Sequence, residues 1–364
     1  MKIGFDAKRA FHNLTGLGNY SRSVIKSISN IMKNDQFYLF TPAHNIDNFQ
    51  INNDNIKRVT APKNYNKKYW RFKGVNKELE RLNLDIYHGL SNEIPYGIKI
   101  KSIVTIHDLL FLKYPSFYNY IDRKIYYMKS KLACQNANFI IATSQQTKND
   151  IISFFNIPED KIRVIYQTCD DVFIYHSDNI KMTPNIAKAI QTPYLLYVGS
   201  IEERKNLIFL LQAINKMKKE IKLICVGKKT KYYNRIAKYI NENKLQERVL
   251  FINDCSKKEL AILYRKSRGL VYPSIDEGFG IPIIESMYSK VPVITSNQEI
   301  FQEIGGKNSY YFKKNNLDSL IQTISEIWTD SLERERRIQA NFKYVQKFSA
   351  INQAKQIINL YKEC

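Results

Sequence analysis

Glu277-Gly278-Phe279-Gly280-Ile281-Pro282-Ile283-Ile284-Glu285 sets two carboxylates around a glycine pair and a proline, just after the apolar run Gly269 to Pro273. A loop that presents backbone N–H groups and feeds a helix N-terminus suits a phosphate or the hydroxyls of a sugar. Pro282 at or near the first helical position starts that helix. Glu277 then belongs to the loop and Glu285 lies about one turn inside the helix. A glycosidase needs two acids flanking a single bond, and this offset does not require that. It fits one carboxylate reading sugar hydroxyls and the other reading a ribose. The plain structural alternative is a tight strand–helix turn with solvated glutamates.

Three further groups of residues bear chemistry. Glu202-Glu203-Arg204-Lys205-Asn206 follows the apolar run Tyr194 to Gly199. At the mouth of a β–α loop, Arg204 offers a planar fork and Lys205 a point charge, a pair able to clamp a diphosphate. His107 and Asp108 end the run Ile103-Val104-Thr105-Ile106. A strand-end imidazole can donate to a sugar hydroxyl or stabilise developing charge, and a purely structural His–Asp pair is the alternative. Gly16 and Gly18, in Thr15-Gly16-Leu17-Gly18-Asn19-Tyr20, permit close approach of a ligand to the backbone. The dinucleotide fingerprint is not matched there, so the choice lies between a loop touching donor phosphate or acceptor and a structural turn. His88 also sits at a strand end, beside a possible cleft. His12, His44, His88 and His176 show no metal-ligand spacing.

These residues need strands that end where they begin. Strand-like runs occupy Lys2–Phe5, Phe37–Phe40, Ile56–Val59, Ile86–His88, Ser102–Ile106, Phe139–Ala142 and Ile162–Ile165. Helical patterns fill Gly18–Asn30, Asn76–Leu82, Tyr118–Asn136 and Ser144–Phe155, the last opened by Ser144 as N-cap. The rhythm lapses between Val172 and Thr192. It resumes with strands at Tyr194–Val198, Lys222–Val226, Val249–Ile252, Gly269–Tyr272, Val293–Thr295 and Tyr310–Phe312. Helices there are Asn206–Lys218, Tyr232–Asn243, Lys257–Lys266, Pro282–Tyr288 and Leu317–Thr329. Strands alternating with helices indicate covered parallel sheets. The expected fold is α/β, two doubly wound Rossmann-like domains facing a central cleft, residues 1–180 and 181–345. Residues 346–364 form a helix that packs back on the first domain, through Phe348, Ile351, Ala354, Ile357, Ile358 and Tyr361.

Composition narrows the function. The chain has 364 residues, 44% of them apolar, enough for two folded domains. No eighteen-residue apolar run appears, and Lys2-Ile3-Gly4-Phe5-Asp6 reads as a first strand and not as a signal peptide. Cys134, Cys169, Cys225, Cys255 and Cys364 have no ligand-like spacing, which indicates a reducing compartment and no structural metal. The net charge of +22 calls for an anionic partner. From Lys57 to Arg81 nine lysines and arginines face only Glu78 and Glu80, interleaved with Tyr65, Tyr69, Trp70 and Phe72. That mixture suits an anionic membrane surface, with a solvated loop as the alternative. No nucleic-acid-binding motif accompanies the charge.

In the order of these motifs the chain resembles the retaining glycosyltransferases of family 4, in the GT-B group. The resemblance covers nearly the whole length. It rests on the glycine loop, Thr105-Ile106-His107-Asp108, Ala142-Thr143-Ser144, Val198-Gly199 with Arg204-Lys205-Asn206, and Glu277 to Glu285 as the family's pair of glutamates seven residues apart. The resemblance implies a nucleotide sugar on the second domain and the acceptor mainly on the first. Arg204 and Lys205 would neutralise the departing diphosphate, with the Gly16–Gly18 loop close by. Glu277 and the amides of Gly278, Phe279 and Gly280 would bind donor-sugar hydroxyls, Ile281 would join the donor contacts, and Glu285 would hold the ribose. His107 would sit near the reacting carbon or the sugar's distal hydroxyl. The family implies neither a metal nor a cofactor, and retention by same-face attack without a protein nucleophile.

One position departs from the family pattern: Ser200 stands where many relatives carry arginine, and Arg204 inherits its task. The stretch Gly199 to Asn206, with His107-Asp108-Leu109 and Tyr114-Pro115, is similar to bacterial mannosyltransferases of polysaccharide assembly. GDP-mannose is the expected donor, and a glycan or lipid-linked saccharide the expected acceptor. A cytoplasmic location, peripheral on the inner membrane, follows from that reading. The alternatives are a UDP-sugar donor, sucrose, trehalose or glycogen synthesis, a GT-B epimerase or phosphorylase, and a polyanion-binding module without enzymatic activity.

Overall fold

A computed structural model describes residues 1–42, 49, 53–63, 65–175, 182–217 and 220–364. Among them seven strands build one sheet: β1 (Lys2–Asp6), β2 (Gln36–Thr41), β3 (Ile56–Thr60), β4 (Ile86–Gly89), β5 (Lys101–Ile106), β6 (Phe139–Ala142) and β7 (Ile162–Val164). Six build a second: β8 (Tyr194–Val198), β9 (Lys222–Val226), β10 (Val249–Ile252), β11 (Gly269–Tyr272), β12 (Val293–Ser296) and β13 (Tyr310–Phe312). Each expected run forms a strand, and all pairings are parallel. The orders are β3-β2-β1-β4-β5-β6-β7 and β10-β9-β8-β11-β12-β13. Each sheet is therefore doubly wound, and its order reverses between β1 and β4 or between β8 and β11. Loops leaving the carboxyl ends of those neighbours part to opposite faces and leave a crevice for a ligand.

The strands are apolar along most of their length because helices cover both faces. Ile3, Phe5, Ile103 and Ile141 fill one core of the first sheet, whereas Leu195, Leu223, Val271 and Ile294 fill one of the second. The chain divides into one unit of residues 1–168 with 348–364, and a second of 169–347. The expected boundary between 180 and 181 falls outside the described residues, as do His44 and His176.

The terminal helix Ala350–Glu363 belongs to the first unit and packs on the helix Gly16–Ile31. Ala354, Ile357, Ile358 and Tyr361 are buried there, but Ile351 is 59% exposed and drops out of the expected stripe. Tyr361 also corrects the reading of His88. Its hydroxyl lies 2.7 Å from His88 Nδ1, and Thr105 Oγ1 lies 2.9 Å from Nε2. His88 is wholly buried and lines no cleft. Burial, and then the nearby His107, push its pKa down to about 3, so it is a neutral core residue.

The basic stretch Lys57 to Arg81 is also less superficial than its composition suggests. Asn66 caps the turn Lys67–Tyr69, its side chain accepting from the Lys68 and Tyr69 amides. The chain then widens into a π-turn, Trp70–Gly74, before the helix Asn76–Arg81. Trp70 is only 3% exposed and packs with Phe40. The next residue, Arg71, turns inward to pair with Asp6 and Glu93. Tyr65, Tyr69 and Phe72 remain exposed. The rings available to an interface are these three, without Trp70.

Candidate active site

In the second unit the crevice between β8 and β11 is built around one buried ion cluster. Beyond β8 the chain makes a turn at Glu203–Lys205 and enters the helix Leu207–Lys216. Beyond β11 it runs through Pro273 to Gly280 into the helix Ile281–Tyr288. The Ile275 amide donates to the Arg204 carbonyl at 2.9 Å, which ties the two loops together.

Their side chains meet at Glu277. One carboxylate oxygen lies 2.9 Å from Arg204 Nη1 and the other 2.6 Å from Lys205 Nζ. Arg204 also donates to the Asp276 carbonyl at 2.7 Å and to Glu202 at 3.0 Å. Lys205 donates to the Tyr272 hydroxyl at 3.1 Å. The sequence reading gave the cations and the glutamate separate tasks; the structure brings them into direct contact. Burial alone would favour a protonated Glu277, but Lys205 and then Arg204 outweigh it and bring its pKa down to about 2. Glu277 and the part-exposed Glu202 between them hold the two cations fixed in place, pre-aimed for an incoming anion.

Glu285 meets the opposite environment. It sits on the helix Ile281–Tyr288 and accepts from the Tyr264 hydroxyl at 2.8 Å. Burial raises its pKa to about 7. One glutamate is therefore ionised throughout the neutral range, while the other exchanges a proton within it. Arg204 and Lys205 hold the one and Tyr264 the other, which accords with separate tasks. Gly278 and Phe279 are buried in the loop, and Gly280 caps the helix at φ +113, a conformation L side chains rarely adopt. Ile281 is the first helical residue, with Pro282 in the first turn.

The first unit holds His107, Gly16 and Gly18. His107 Nε2 lies 2.9 Å from the Leu90 carbonyl, which can only accept, so the proton is on Nε2 and Nδ1 is an acceptor. Burial lowers the pKa of His107 to about 4 despite that hydrogen bond. The expected hydrogen-bond donation to a sugar is therefore replaced by acceptance: a neutral imidazole can take a proton or hydrogen bond at Nδ1. Asn92 fixes the segment, its Oδ1 accepting from the His107 amide at 3.1 Å and its Nδ2 donating to the Asp108 carbonyl at 3.3 Å.

Gly16 and Gly18 lie in the first turn of the helix Gly16–Ile31 and not in an open loop. A Cβ on Gly18 would stand 1.7 Å from the Asn13 carbonyl oxygen, so close backbone packing accounts for this glycine. The same helix carries Tyr20, whose ring meets that of His107 edge-on at 4.6 Å. The structure thus gathers Arg204, Lys205 and Glu277 in one unit, and His107 and the glycine turn in the other. Sequence reasoning missed Tyr272, Asp276, Tyr264 and Asn92. A tyrosine closing the apolar β11 run was a signal for the first; side-chain partners of this range leave no local mark for the others.

Two doubly wound sheets with the motif loops at their switch points define a glycosyltransferase of the GT-B fold. The chain belongs to that enzyme family: residues 16–172 match Glycosyltransferase Family 4 and residues 178–344 match Glycosyl transferases group 1. Among curated relatives, it is 28% identical to the O-antigen chain mannosyltransferase B of Escherichia coli, over 100% of both chains. Two solved structures share the fold at lower identity. Sucrose-phosphate synthase from Thermosynechococcus elongatus aligns with a TM-score of 0.80 at 19% identity, covering 100% of this chain and 98% of that one. Anabaena HepE, solved in complex with UDP and glucose, aligns at 0.75 and 16%, covering 100% of both.

Proposed function

We propose that this enzyme transfers mannose from GDP-mannose, with retention and without a metal, to a glycan or lipid-linked saccharide in the synthesis of a cell-surface polysaccharide. The Arg204–Lys205–Glu277 cluster carries the reading. It lies where the β8–β11 switch point receives a ligand, and it is poised to take up negative charge as a sugar–diphosphate bond breaks. The leaving diphosphate gains charge in the transition state, and Lys205 and Arg204 stabilise that gain. Glu277, already oriented by both, accepts from a donor-sugar hydroxyl. Glu285 meets the ribose, and Nδ1 of His107 accepts from a sugar hydroxyl. The Gly199 to Asn206 pattern and the full-length likeness to a mannosyltransferase support mannose. The likeness to HepE, solved with UDP and glucose, supports the rival UDP-sugar donor.

Thermal unfolding with each nucleotide separates the two. GDP and GDP-mannose are expected to raise the melting temperature more than UDP and UDP-sugars, as any ligand of the folded state must in proportion to its affinity. Stabilisation by UDP over GDP would overturn the mannose assignment and leave the fold untouched.

The same reading places the enzyme at an anionic membrane. Exposed Tyr65, Tyr69 and Phe72 stand among the lysines of the stretch Lys57 to Arg81, and no helix among the described residues is long and apolar enough to cross a bilayer. Sedimentation with liposomes should require anionic lipid and weaken when Lys63, Lys67, Lys68 and Lys73 are neutralised. Binding unchanged by those substitutions sinks this docking surface.

A further inference from the structure

We propose that the first unit contains a binding site for a phosphorylated amphiphile, with a cationic chamber for the phosphate head and an apolar lip for the first carbons of its chain. In the enzyme this would be the lipid-linked acceptor, so the inference rests on the reading above and specifies its acceptor. The site is a cavity of about 710 Å³ beside the carboxyl ends of β1 and β4, lined by Asp6, Lys8, Tyr87 and Glu93 among others. None of the residues assigned above to the donor or to His107 lines it.

The chamber carries surplus positive charge. Five lysines and arginines line it (Lys8, Lys67, Lys68, Arg71 and Lys129) against the two carboxylates of Asp6 and Glu93. Those carboxylates are already matched: Arg71 pairs with both, and Lys129 lies 2.9 Å from Glu93. Lys8, Lys67 and Lys68 are in excess of them. Lys8 is part-buried, and its pKa is lowered by that burial and then by Arg71. His12, also on the wall, is lowered by burial and then by Arg58. An anion in the cavity relieves the repulsion on both.

The lip has a different chemistry. Phe72 and Tyr96 stack with centroids 5.5 Å apart and planes 9° from parallel, yet are 46% and 50% exposed. The Tyr96 amide donates to the Phe72 carbonyl, which fixes the ledge. Ile125, 43% exposed, also lines the cavity from the helix Tyr120–Asn136. A site for inorganic phosphate has no use for exposed rings, and a site for a hydrocarbon has no use for surplus lysines. A phosphate joined to an apolar chain uses both.

The test is a solution titration with farnesyl diphosphate below its aggregation threshold, with inorganic pyrophosphate and farnesol as separate arms. Trp70, flanked by the lining residues Tyr69 and Arg71, reports binding by fluorescence in a Trp328→Phe background. Farnesyl diphosphate is expected to bind at least about tenfold more tightly than either fragment. Lys8→Met, Lys67→Met and Lys68→Met together should weaken it by about tenfold or more. Phe72→Ser with Tyr96→Ser should reduce it to the level of pyrophosphate. Pyrophosphate binding as tightly as farnesyl diphosphate would reduce the cavity to a simple anion site and overturn the proposal, as would an affinity unmoved by the variants or no binding at all. Nucleotide stabilisation measured on the same proteins keeps the two readings apart. Nucleotide binding without amphiphile binding refutes the cavity alone; the converse refutes the donor assignment alone.

Discussion

Lys205→Ala is expected to lower the rate of sugar transfer by about 10²–10³-fold while the protein stays folded, the usual cost of removing one pre-aimed donor from a charge-stabilising site. The substitution is informative because of what it leaves behind. Glu277 keeps its partner Arg204 at 2.9 Å, so no isolated carboxylate is created in a cluster whose side chains are 10–15% exposed. The stability lost is that of one charged hydrogen-bond partner, about 1–3 kcal/mol. Glu277→Ala is a harsher experiment, since it takes the carboxylate from Lys205 and leaves that lysine beside Arg204, which mixes loss of fold with loss of chemistry. The fall should appear mainly in kcat, because Lys205 gains most from charge that develops as the bond breaks. Lys205→Arg should not restore the rate: a planar fork cannot occupy the point between Glu277 and the Tyr272 hydroxyl, 2.6 and 3.1 Å away. Full transfer activity in Lys205→Ala would show that the reaction centre lies elsewhere. Mild acid should not mimic the variant. Glu277 is held near 2 against an ordinary 4.5, so its contribution is complete above 4.5 and fades only as pH falls toward 2.

The strand framework was legible because buried parallel strands write themselves as short apolar runs, and all the expected runs became strands. The motif loops were legible for a related reason: glycine, proline and charge are concentrated where strands end. Side-chain partners are another matter. Lys205 lies 72 residues from Glu277, as Arg204 does from Asp276, and nothing local announces that they touch. His107 was readable as a strand-end imidazole, but its proton is placed by the carbonyl of Leu90, 17 residues away. Gly18 looked like a ligand-approach glycine and is accounted for by the backbone of Asn13. The stretch Lys57 to Arg81 was the most misleading. Composition averages over a segment, whereas a π-turn sends Trp70 and Arg71 inward from among exposed neighbours. Arg71 finds its partners at distances of 65 and 22 residues.

That inward arginine sets up the second large effect. Arg71→Ala is expected to destabilise the first unit by about 3–5 kcal/mol, the range for removing one member of a buried ion pair. The guanidinium side chain is 12% exposed and joins Asp6, 4% exposed, to Glu93, 21% exposed. Burial opposes the charge on Arg71, but Asp6 and then Glu93 more than compensate, and its pKa is raised. Once Arg71 is gone the two acids fare differently. Glu93 retains Lys129 at 2.9 Å, whereas Asp6, at the carboxyl end of β1, loses its ion-pair partner. Most of the penalty should therefore be the cost of an unpaired Asp6 carboxylate. Adding Asp6→Asn ought to recover about half of it, a coupling that a double-mutant cycle resolves. Denaturant unfolding followed by Trp70 in a Trp328→Phe background reports on the first unit separately, which matters in a two-unit chain where one global transition cannot be assumed. A loss below about 1 kcal/mol, as for an exposed pair, would mean that water reaches the cluster freely. Arg71 would then be a surface residue after all, and the cationic chamber it supports would lose its floor.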